Sequence, residues 1–425
     1  MKSQFFDYIL VGGGLQSGLL VLALRHHQPT ARVLLVERNH QLAGNHTWSF
    51  HPKDVSPSSA AWVSPAVEYR WPSYQVRLNG FQTQVDLSYE SISAAFFAEV
   101  VKNSLVCSDA GGTNLTEPLG VLLLDTDVYQ VDRGEIKTAS GDSYRGRLVI
   151  DCRGPKPARE KCFTQCGYQK FWGFEIELQS EWPFVGPVVM DDRIDQSDGF
   201  RFIYSLPFDR RRVLVEDTRF SNSSVIDRDD CLAQVSKYLE IIGVQNWSII
   251  REEHGILPMP ISGERMPGHG TESGTEQVLA GGYAGGWFHV ATGYSFPLSI
   301  AFAETVACVS PESAVSAVHR LANSQRTRSR FGRFLNRLLF CLVKPTKRYQ
   351  IFRRFYKVLS ADSIARFYSH RFTMGDAFRI VVGMPPAGLQ PVGFLRSFFP
   401  QPKPAQTSPS HPKHVLKSSY EEISV

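Results

Sequence analysis

The sequence has few cysteines and no long apolar run. Seven cysteines are scattered over 425 residues, an odd number that suits a reducing cytoplasm rather than a disulfide framework. No stretch of about 18 apolar residues occurs, so no transmembrane helix is expected. The first residues enter a strand directly, without the apolar core and cleavage site of a signal peptide. We therefore expect a cytoplasmic protein.

Charged residues are also few, at 20%, and they are unevenly distributed. Between Arg320 and Arg379 there are fifteen lysines and arginines and two aspartates, a local balance of +13. The net charge is +5, so the rest of the chain sums to −8. A basic block on an acidic protein indicates an anionic surface as partner. No nucleic-acid-binding motif accompanies the charge, so a nucleic acid is not expected.

No metal site is expected either. Cys162 and Cys166 have the spacing of half a metal site, but no second half follows. His46, His51, His254 and His289 do not have ligand spacing, and a hydrogen-bonded core or loop histidine is the commoner interpretation of each.

What the sequence does contain is a glycine-rich turn near its start. Residues 6–11 read as a buried parallel strand, and an apolar helix follows the turn. Gly12 can make the tight turn, and Gly14 lets the backbone approach a pyrophosphate at the helix N-terminus. A second strand over 32–36 ends on Glu37, which is placed to accept hydrogen bonds from ribose hydroxyls. The pattern predicts a dinucleotide site.

Ser17 stands where the third glycine of this fingerprint is usual. Serine is small enough for close packing of the helix on the strand, so the prediction is kept. An ordinary glycine-rich turn without a nucleotide is the alternative. It is disfavoured because the strand, the helix, the second strand and the acid all occur in register.

Two later segments favour FAD over NAD. A polar loop with a glycine, residues 41–48, follows the second strand. Residues 280–286 are rich in glycine and lead through Thr292 and Gly293 into an apolar helix, whose N-terminus would face the flavin. The predicted cofactor-binding residues are therefore Gly12, Gly14, Ser17, Glu37, Gly286, Thr292 and Gly293.

Residues 170–220 alternate like strands of an antiparallel sheet. The period of two puts Leu214 and Glu216 on one face of a strand, and Val215 and Asp217 on the other. A carboxylate on an apolar face is costly unless it is partnered or protonated, and desolvation raises its pKa. That environment suits a general acid. The alternatives are a strand-end charge in solvent or an ion pair with one of three nearby arginines, Arg201, Arg212 or Arg219.

The basic block reads as amphipathic helices. Apolar residues recur at helical spacing before Pro345 and again after it, with basic residues on the opposite side. The first apolar stripe consists of Phe331, Phe334, Leu335, Leu338, Leu339 and Leu342. Helices of this type lie on anionic lipid headgroups. A helical cap packed on the core, with a solvated basic face, is the alternative.

Five segments together resemble bacterial lycopene β-cyclases, which form a family of FAD-binding proteins. They follow the family's order and cover roughly residues 5–385: Gly44–His51, Tyr204–Pro207, Val215–Thr218, Arg251–Pro258 and Phe288–Ser295. The chain departs from the family pattern at Val290-Ala291, where a Pro-Thr pair is expected, and at Cys152, where a glycine is usual.

The resemblance implies an α/β fold: a Rossmann-type FAD-binding domain like that of aromatic hydroxylases, an antiparallel-sheet substrate domain and a C-terminal helical cap. We expect the following division: residues 1–75, 130–155 and 275–310 in the FAD-binding domain, 76–129 and 156–274 in the substrate domain, 311–397 in the basic cap, and 398–425 in a disordered tail.

The resemblance also implies proton-initiated cyclisation of the ψ-ends of lycopene to β-rings, with reduced FAD, NADPH as the reductant and no net redox change. It makes Glu216 the favoured catalytic residue, as proton donor or as the group that holds the cation, and Asp217 the neighbour to test. Implied partners are lycopene and other acyclic carotenoids, membrane lipids at a peripheral site, and other enzymes of carotenoid synthesis. The rivals on the same fold are a redox flavoenzyme (a hydroxylase or a prenyl-chain reductase) and a non-enzymatic prenyl-lipid carrier.

Overall fold

The computed structural model describes residues 5–106, 118–154, 163–196, 198–263, 278–383 and 388–398. The strands in chain order are β1 (Phe5–Val11), β2 (Val33–Val36), β3 (Thr47–Phe50), β4 (Tyr69–Trp71), β5 (Tyr74–Leu78), β6 (Phe81–Val85), β7 (Tyr89–Ser93), β8 (Gly120–Leu123), β9 (Val128–Asp132), β10 (Glu135–Thr138), β11 (Ser143–Asp151), β12 (Phe163–Leu178), β13 (Val188–Asp191), β14 (Phe200–Pro207), β15 (Arg212–Ser221), β16 (Trp247–Gly263) and β17 (Leu279–Ala280). The α-helices are α1 (Leu15–His27), α2 (Pro57–Val63), α3 (Ala94–Val106), α4 (Arg228–Ile241), α5 (Phe296–Ala307), α6 (Pro311–Arg337), α7 (Tyr349–Val358), α8 (Ala361–Tyr368), α9 (Met374–Val381) and α10 (Pro391–Arg396).

The first sheet has the strand order β8-β2-β1-β11-β10-β9, and β17 also pairs with β11. The strands β8, β2, β1, β11 and β17 run parallel, whereas β10 and β9 form an antiparallel edge. Strand β2 is buried along its whole length, because both faces are covered: Val33 and Leu35 pack in the cluster that contains α1 and α5, and Leu34 and Val36 pack in a second cluster with Val128 of β9 and Ile136 of β10. The carboxyl ends of β1 and β2 therefore lie side by side at the N-terminus of α1.

The second sheet has the order β16-β12-β15-β14-β13-β5-β6 and is antiparallel except where β13 meets β5. Helix α4 covers one face of it, where Val215 of β15 is buried. The opposite face, with Leu214, packs against the C-terminal helices. The remaining strands of the described residues form a small third sheet with the order β3-β7-β4.

Helices α6 to α10 form the cap. The predicted apolar stripe from Phe331 to Leu342 is real, and it spans the end of α6 and the π-helical turn Leu338–Leu342 that follows. None of its six residues is exposed, since they pack on the second sheet and on neighbouring cap helices. The buried Arg348 donates hydrogen bonds to Phe220 O at 2.8 Å and to Leu339 O at 3.1 Å. This arginine ties the cap to β15.

The architecture confirms the predicted fold class: an α/β nucleotide-binding sheet, a largely antiparallel second sheet and a C-terminal helical cap. The domain boundaries stay a prediction, and one strand lies across them. Strand β8 falls within the segment 76–129 assigned to the substrate domain, yet it pairs with β2, Val33 opposite Gly120, in the first sheet. The predicted tail, from 398, lies outside the described residues apart from Phe398.

Candidate functional site

A cavity of about 880 Å³ lies between the second sheet, β3, the segment before α5 and the cap. Its volume is within the range of small-molecule sites, about 300–1,000 Å³. Aromatic and aliphatic side chains make up most of the wall, among them Trp48, Phe171 and Phe202. An apolar molecule would therefore be held mainly by dispersion and by exclusion of water.

Glu216 is one of two carboxyl side chains that line this cavity. Only 8% of the residue is exposed, and its carboxyl accepts a hydrogen bond of 2.5 Å from Thr218 Oγ1. Burial, and after it the neighbouring Glu253, raise the pKa of Glu216 to about 8, and the hydrogen bond from Thr218 opposes the shift. Glu216 is therefore a neutral acid near pH 7, inside an apolar cavity.

Glu253 is the second carboxyl side chain in the cavity wall. It is buried, and its Oε2 accepts hydrogen bonds from Thr47 Oγ1 at 2.8 Å and from Arg251 Nη1 at 2.6 Å. Burial raises the pKa of Glu253, while Arg251 and Thr47 act to lower it. The sequence analysis assigned this residue no role, because its nearness to Glu216 depends on strand pairing across β12 rather than on any local pattern.

Asp217 lies on the opposite face of β15, as the alternation predicts. It is fully buried, and its carboxylate accepts hydrogen bonds from Arg201 Nε at 2.9 Å and from Arg219 Nη2 at 3.1 Å. Asp217 does not line the cavity that holds Glu216. The ion pair that was the alternative for Glu216 therefore belongs to its neighbour.

The glycine-rich turn has the geometry that the sequence predicts. Gly12 has φ +97°, and an added Cβ would lie 3.0 Å from the backbone nitrogen of Arg153, so a side chain is excluded there. At Gly14, by contrast, nothing lies within 4 Å of an added Cβ. Open space thus adjoins the N-terminus of α1, where the unpaired N–H groups of a helix face an anion.

Glu37 ends the second strand beside this turn. Its Oε2 accepts a hydrogen bond of 2.5 Å from the backbone nitrogen of Gly13, and its Oε1 accepts one of 2.9 Å from that of Asn39. Each carboxylate oxygen keeps a second lone pair for a hydroxyl donor. Glu37 is thus fixed against the turn and can still accept from a ribose.

Ser17 is fully buried in α1. The tightest approach of that helix comes one residue later, at Gly18, where an added Cβ would lie 2.3 Å from the ring of Phe97 on α3. A small residue is therefore required at position 18 for packing of α1 against α3.

The second glycine-rich segment lies next to the first. Gln16 of α1 donates a hydrogen bond to Ser299 O of α5 at 3.1 Å and accepts one from Gly282 N at 3.3 Å. Gly286 ends a 3₁₀ turn with φ +80° and does not line the cavity. Thr292 and Gly293, just before α5, do line it. The predicted nucleotide residues thus extend from the α1 turn to the wall of the cavity that holds Glu216.

Four large aromatic residues, Trp48, Trp172, Trp287 and Phe288, are candidates for the wall of a tunnel that holds an apolar chain, and of these Trp48 lines the cavity. Trp172 instead stacks on His254, with ring centroids 4.5 Å apart, and donates to Glu252. Trp287 and Phe288 are buried in the packing around the second glycine-rich segment. Their large side chains are packing residues, which a single sequence cannot distinguish from tunnel residues.

Within the described ranges, one group of side chains lies close enough together to hold a metal ion: His27, Glu304 and Cys308. The carboxylate oxygen of Glu304 that meets His27 at 3.2 Å also accepts a hydrogen bond from Trp62 at 2.7 Å. None of these three residues lines the cavity. No described helix combines the length and the apolar character needed to cross a bilayer.

The fold is that of the flavin-dependent monooxygenases and their relatives. A probable FAD-dependent monooxygenase from Pseudomonas aeruginosa superimposes with a TM-score of 0.53 at 14% identity, over 79% of this chain and 97% of that one. This likeness defines the architecture alone.

Sequence comparison is more specific. The family model described as lycopene cyclase protein matches residues 7–392. The lycopene beta-cyclase of Pantoea ananas is 34% identical over 386 residues, which cover 90% of this chain and 95% of that protein. The lycopene beta-cyclase of a Paracoccus species is 35% identical over 389 residues, with the same coverage. The chain belongs to the lycopene cyclase family, as its motifs predicted.

Proposed function

We propose that this protein converts the ψ-ends of lycopene to β-rings, from lycopene through γ-carotene to β-carotene, without net redox change. The observation that carries the proposal is Glu216, a buried carboxyl that burial keeps protonated in an apolar cavity. Membership in the lycopene cyclase family supports the choice of substrate.

The chemistry follows from these residues. Glu216 donates its proton to C2 of the terminal double bond, which leaves a tertiary cation at C1. The electron pair of the C5=C6 double bond then forms the C1–C6 bond, and loss of the proton at C6 restores a double bond between C5 and C6. One proton enters and one leaves, so no electrons are exchanged. The rings of Tyr89 and Phe171 in the cavity wall stabilise positive charge by cation–π attraction, and the dry wall excludes water that would trap the cation.

FAD fits the glycine-rich turn because open space adjoins Gly14 and because Glu37 is fixed with free lone pairs. We propose that Gly12, Gly14 and Glu37 hold its pyrophosphate and ribose, and that Thr292 and Gly293 face the flavin. Bound in its reduced form, with NADPH as reductant, it would supply a planar, negatively charged wall for the cation.

Replacing Glu37 with alanine should weaken FAD binding about tenfold or more, since a hydrogen bond to a charged acceptor is worth about 1.5–3 kcal/mol. The variant also frees the backbone nitrogen of Gly13, which loosens the turn. Flavin occupancy after dialysis measures the effect. Glu135→Ala, on the antiparallel edge of the same sheet, is the matched control. Full occupancy in Glu37→Ala would remove Glu37 from the site.

One experiment tests the function directly. The chain is expressed in a bacterium that accumulates lycopene, and the pigments are separated and their masses are measured by mass spectrometry. The expected product is β-carotene, an isomer of lycopene. Enzyme reduced once with dithionite should then turn over repeatedly without NADPH. Consumption of one NADPH per ring would support the redox rival, and lycopene recovered unchanged would support the carrier.

We further propose that the protein docks on membrane lipid, from which it takes its substrate, and we place that contact on α9. The stripe from Phe331 to Leu342, proposed from sequence, contains no exposed residue. Helix α9 instead exposes 83% of Met374 and 64% of Phe378, beside the exposed Arg371 and Arg379. The last two residues of the helix, Ile380 and Val381, line the cavity. Apolar side chains flanked by arginines suit an anionic bilayer.

The protein should therefore float with anionic vesicles, and binding should weaken as salt rises, because screening acts on the arginines. The double variant Met374→Ser/Phe378→Ser should bind about tenfold less, since it removes two inserting apolar side chains. The control is Val185→Ser, which changes a residue between β12 and β13 that is 93% exposed. This variant should float like the wild type. Equal binding to neutral and anionic vesicles would contradict an electrostatic contact.

A further inference from the structure

The two carboxyl side chains of the cavity, Glu216 and Glu253, belong to strands on either side of a glycine in the second sheet. Strand β12 lies between β15 and β16, and Gly173 is the register partner of Glu216 on one side and of Glu253 on the other. Residues at one level of adjacent strands project to the same face of a sheet. Both carboxyl side chains therefore project over Gly173 into the cavity.

Gly173 is glycine for a steric reason. An added Cβ would lie 3.2 Å from Cγ of Glu253 and 3.1 Å from a methyl carbon of Leu214. A side chain here would push against the stem of Glu253. The missing side chain is what leaves room for two carboxyl groups to face each other.

The two carboxyl groups have unequal surroundings. Glu253 is bound by Arg251, and Arg251 is also held by Glu175, at 2.8 Å, so the guanidinium is fixed on both sides. Among the described hydrogen bonds of Glu216, the side-chain donor is Thr218, a neutral group. Negative charge is therefore better accommodated on Glu253 than on Glu216.

We propose that Glu253 is a positioning residue for the proton: as a carboxylate fixed by Arg251 and Thr47, it keeps the proton on Glu216 across the gap at Gly173. The proposal rests on the proposed function, in which Glu216 is the acid. It adds a second carboxylate whose charge opposes ionisation of the first. Loss of the proton from Glu216 before substrate arrives would place two like charges in one dry cavity.

Among the charged groups around Glu216, Glu253 is the one at the same level of the sheet; Arg353, Arg354 and Lys357 of α7 also line the cavity, from the cap. Tyr89, Tyr204 and Tyr294 line the same cavity, and burial raises the pKa of each, so they stay neutral through the physiological range. Asp217, on the same strand, is paired with two arginines, and it raises the pKa of Glu216 less than Glu253 does. His46 and His51 complete the titratable side chains of the wall formed around β3.

The test is the pH profile of turnover by reduced enzyme on lycopene in vesicles, for wild type, Glu253→Gln and Glu252→Gln. Activity requires protonated Glu216, so it falls as pH rises through the pKa of that group, about 8. Removing the charge of Glu253 lowers the pKa of Glu216, so the alkaline limb should move down by about one pH unit. Near pH 8 the variant should lose about fivefold in rate, and near pH 6 very little.

Glu252→Gln makes the same chemical change one residue away. Glu252 points to the other face of β16, where it binds Arg228 and Trp172, so its pH profile should match the wild type. Arg251 keeps Glu175 as a partner in Glu253→Gln, so this variant should fold. An alkaline limb that does not move in Glu253→Gln, or that moves equally in Glu252→Gln, would overturn the proposal.

A second measurement does not depend on activity. The infrared C=O band of a protonated carboxyl group, assigned to Glu216 by its absence in Glu216→Gln, should disappear on titration at a lower pH in Glu253→Gln than in wild type. A band that titrates identically in both proteins would refute the role of Glu253. If the band shifts but the wild type forms no β-carotene, the carboxyl pair stands and the proposed function fails.

Discussion

Replacing Glu216 with glutamine should lower β-carotene formation by about 10²–10⁴-fold, the usual contribution of a general acid. Glutamine is isosteric with glutamate but is neither acidic nor anionic, so it can neither give the proton nor hold the cation. Flavin content and the melting profile should stay at wild-type values, because Glu216 makes its described side-chain hydrogen bond only with Thr218.

The measurement is product formed per mole of FAD-loaded protein, in anaerobic assays with reduced enzyme on vesicles containing lycopene. Thr218→Val, which removes the donor to Glu216, should be far milder, since the carboxyl group itself remains. A Glu216→Gln protein within a few-fold of wild type would remove Glu216 from the mechanism.

Asp217→Asn should have the opposite profile: a large loss of stability and a small loss of turnover per folded molecule. The change leaves Arg201, itself fully buried, with an uncompensated charge. Breaking a buried ion pair by removing one partner costs about 3–5 kcal/mol. Asp230, which is half-exposed and meets both arginines, should reduce that cost toward the lower value.

Denaturant unfolding followed by tryptophan fluorescence reports the free energy of unfolding. Asp230→Asn is the matched control, and it should cost about 1 kcal/mol or less because the residue is largely solvated. If Asp217→Asn unfolds like the wild type but turns over poorly, Asp217 is a catalytic group after all. The sequence analysis had left that role open, and we now propose a structural one.

Local patterns predicted the geometry of the glycine-rich turn and the alternation of β15. Gly12, Gly14 and Glu37 follow from spacing within one βαβ unit, because the turn, the helix and the strand end are fixed by neighbours in sequence. The opposite faces of Glu216 and Asp217 follow from the two-residue repeat of a single strand. These features needed no knowledge of distant contacts.

The features that the sequence analysis missed depend on pairing between strands that are distant in the sequence. Glu253 is 37 residues from Glu216 in sequence, and they become neighbours only through the register of β12 with both strands. The pairing of β8 with β2 is long-range in the same way, since β2 lies far earlier in the chain.

The C-terminal cap shows a different limit of prediction from sequence. The helical period of its apolar stripe was predicted correctly, but the stripe packs against the protein. Periodicity defines an apolar face and leaves its partner, lipid or protein, undetermined.

The interleaving of the two large sheets has a consequence for biosynthesis. Strand β17 pairs with Ile150 and Asp151 of β11, and α5 packs on α1, but the whole second sheet apart from β5 and β6 is encoded between β11 and β17. During translation, nearly three hundred residues must be synthesised before the first sheet can be completed. Until then, the edge of β11 that pairs with β17 has no partner strand at that end. Such late closure slows folding and leaves partly assembled chains prone to aggregation. The nascent chain therefore completes its first sheet only after most strands of the second sheet have been synthesised.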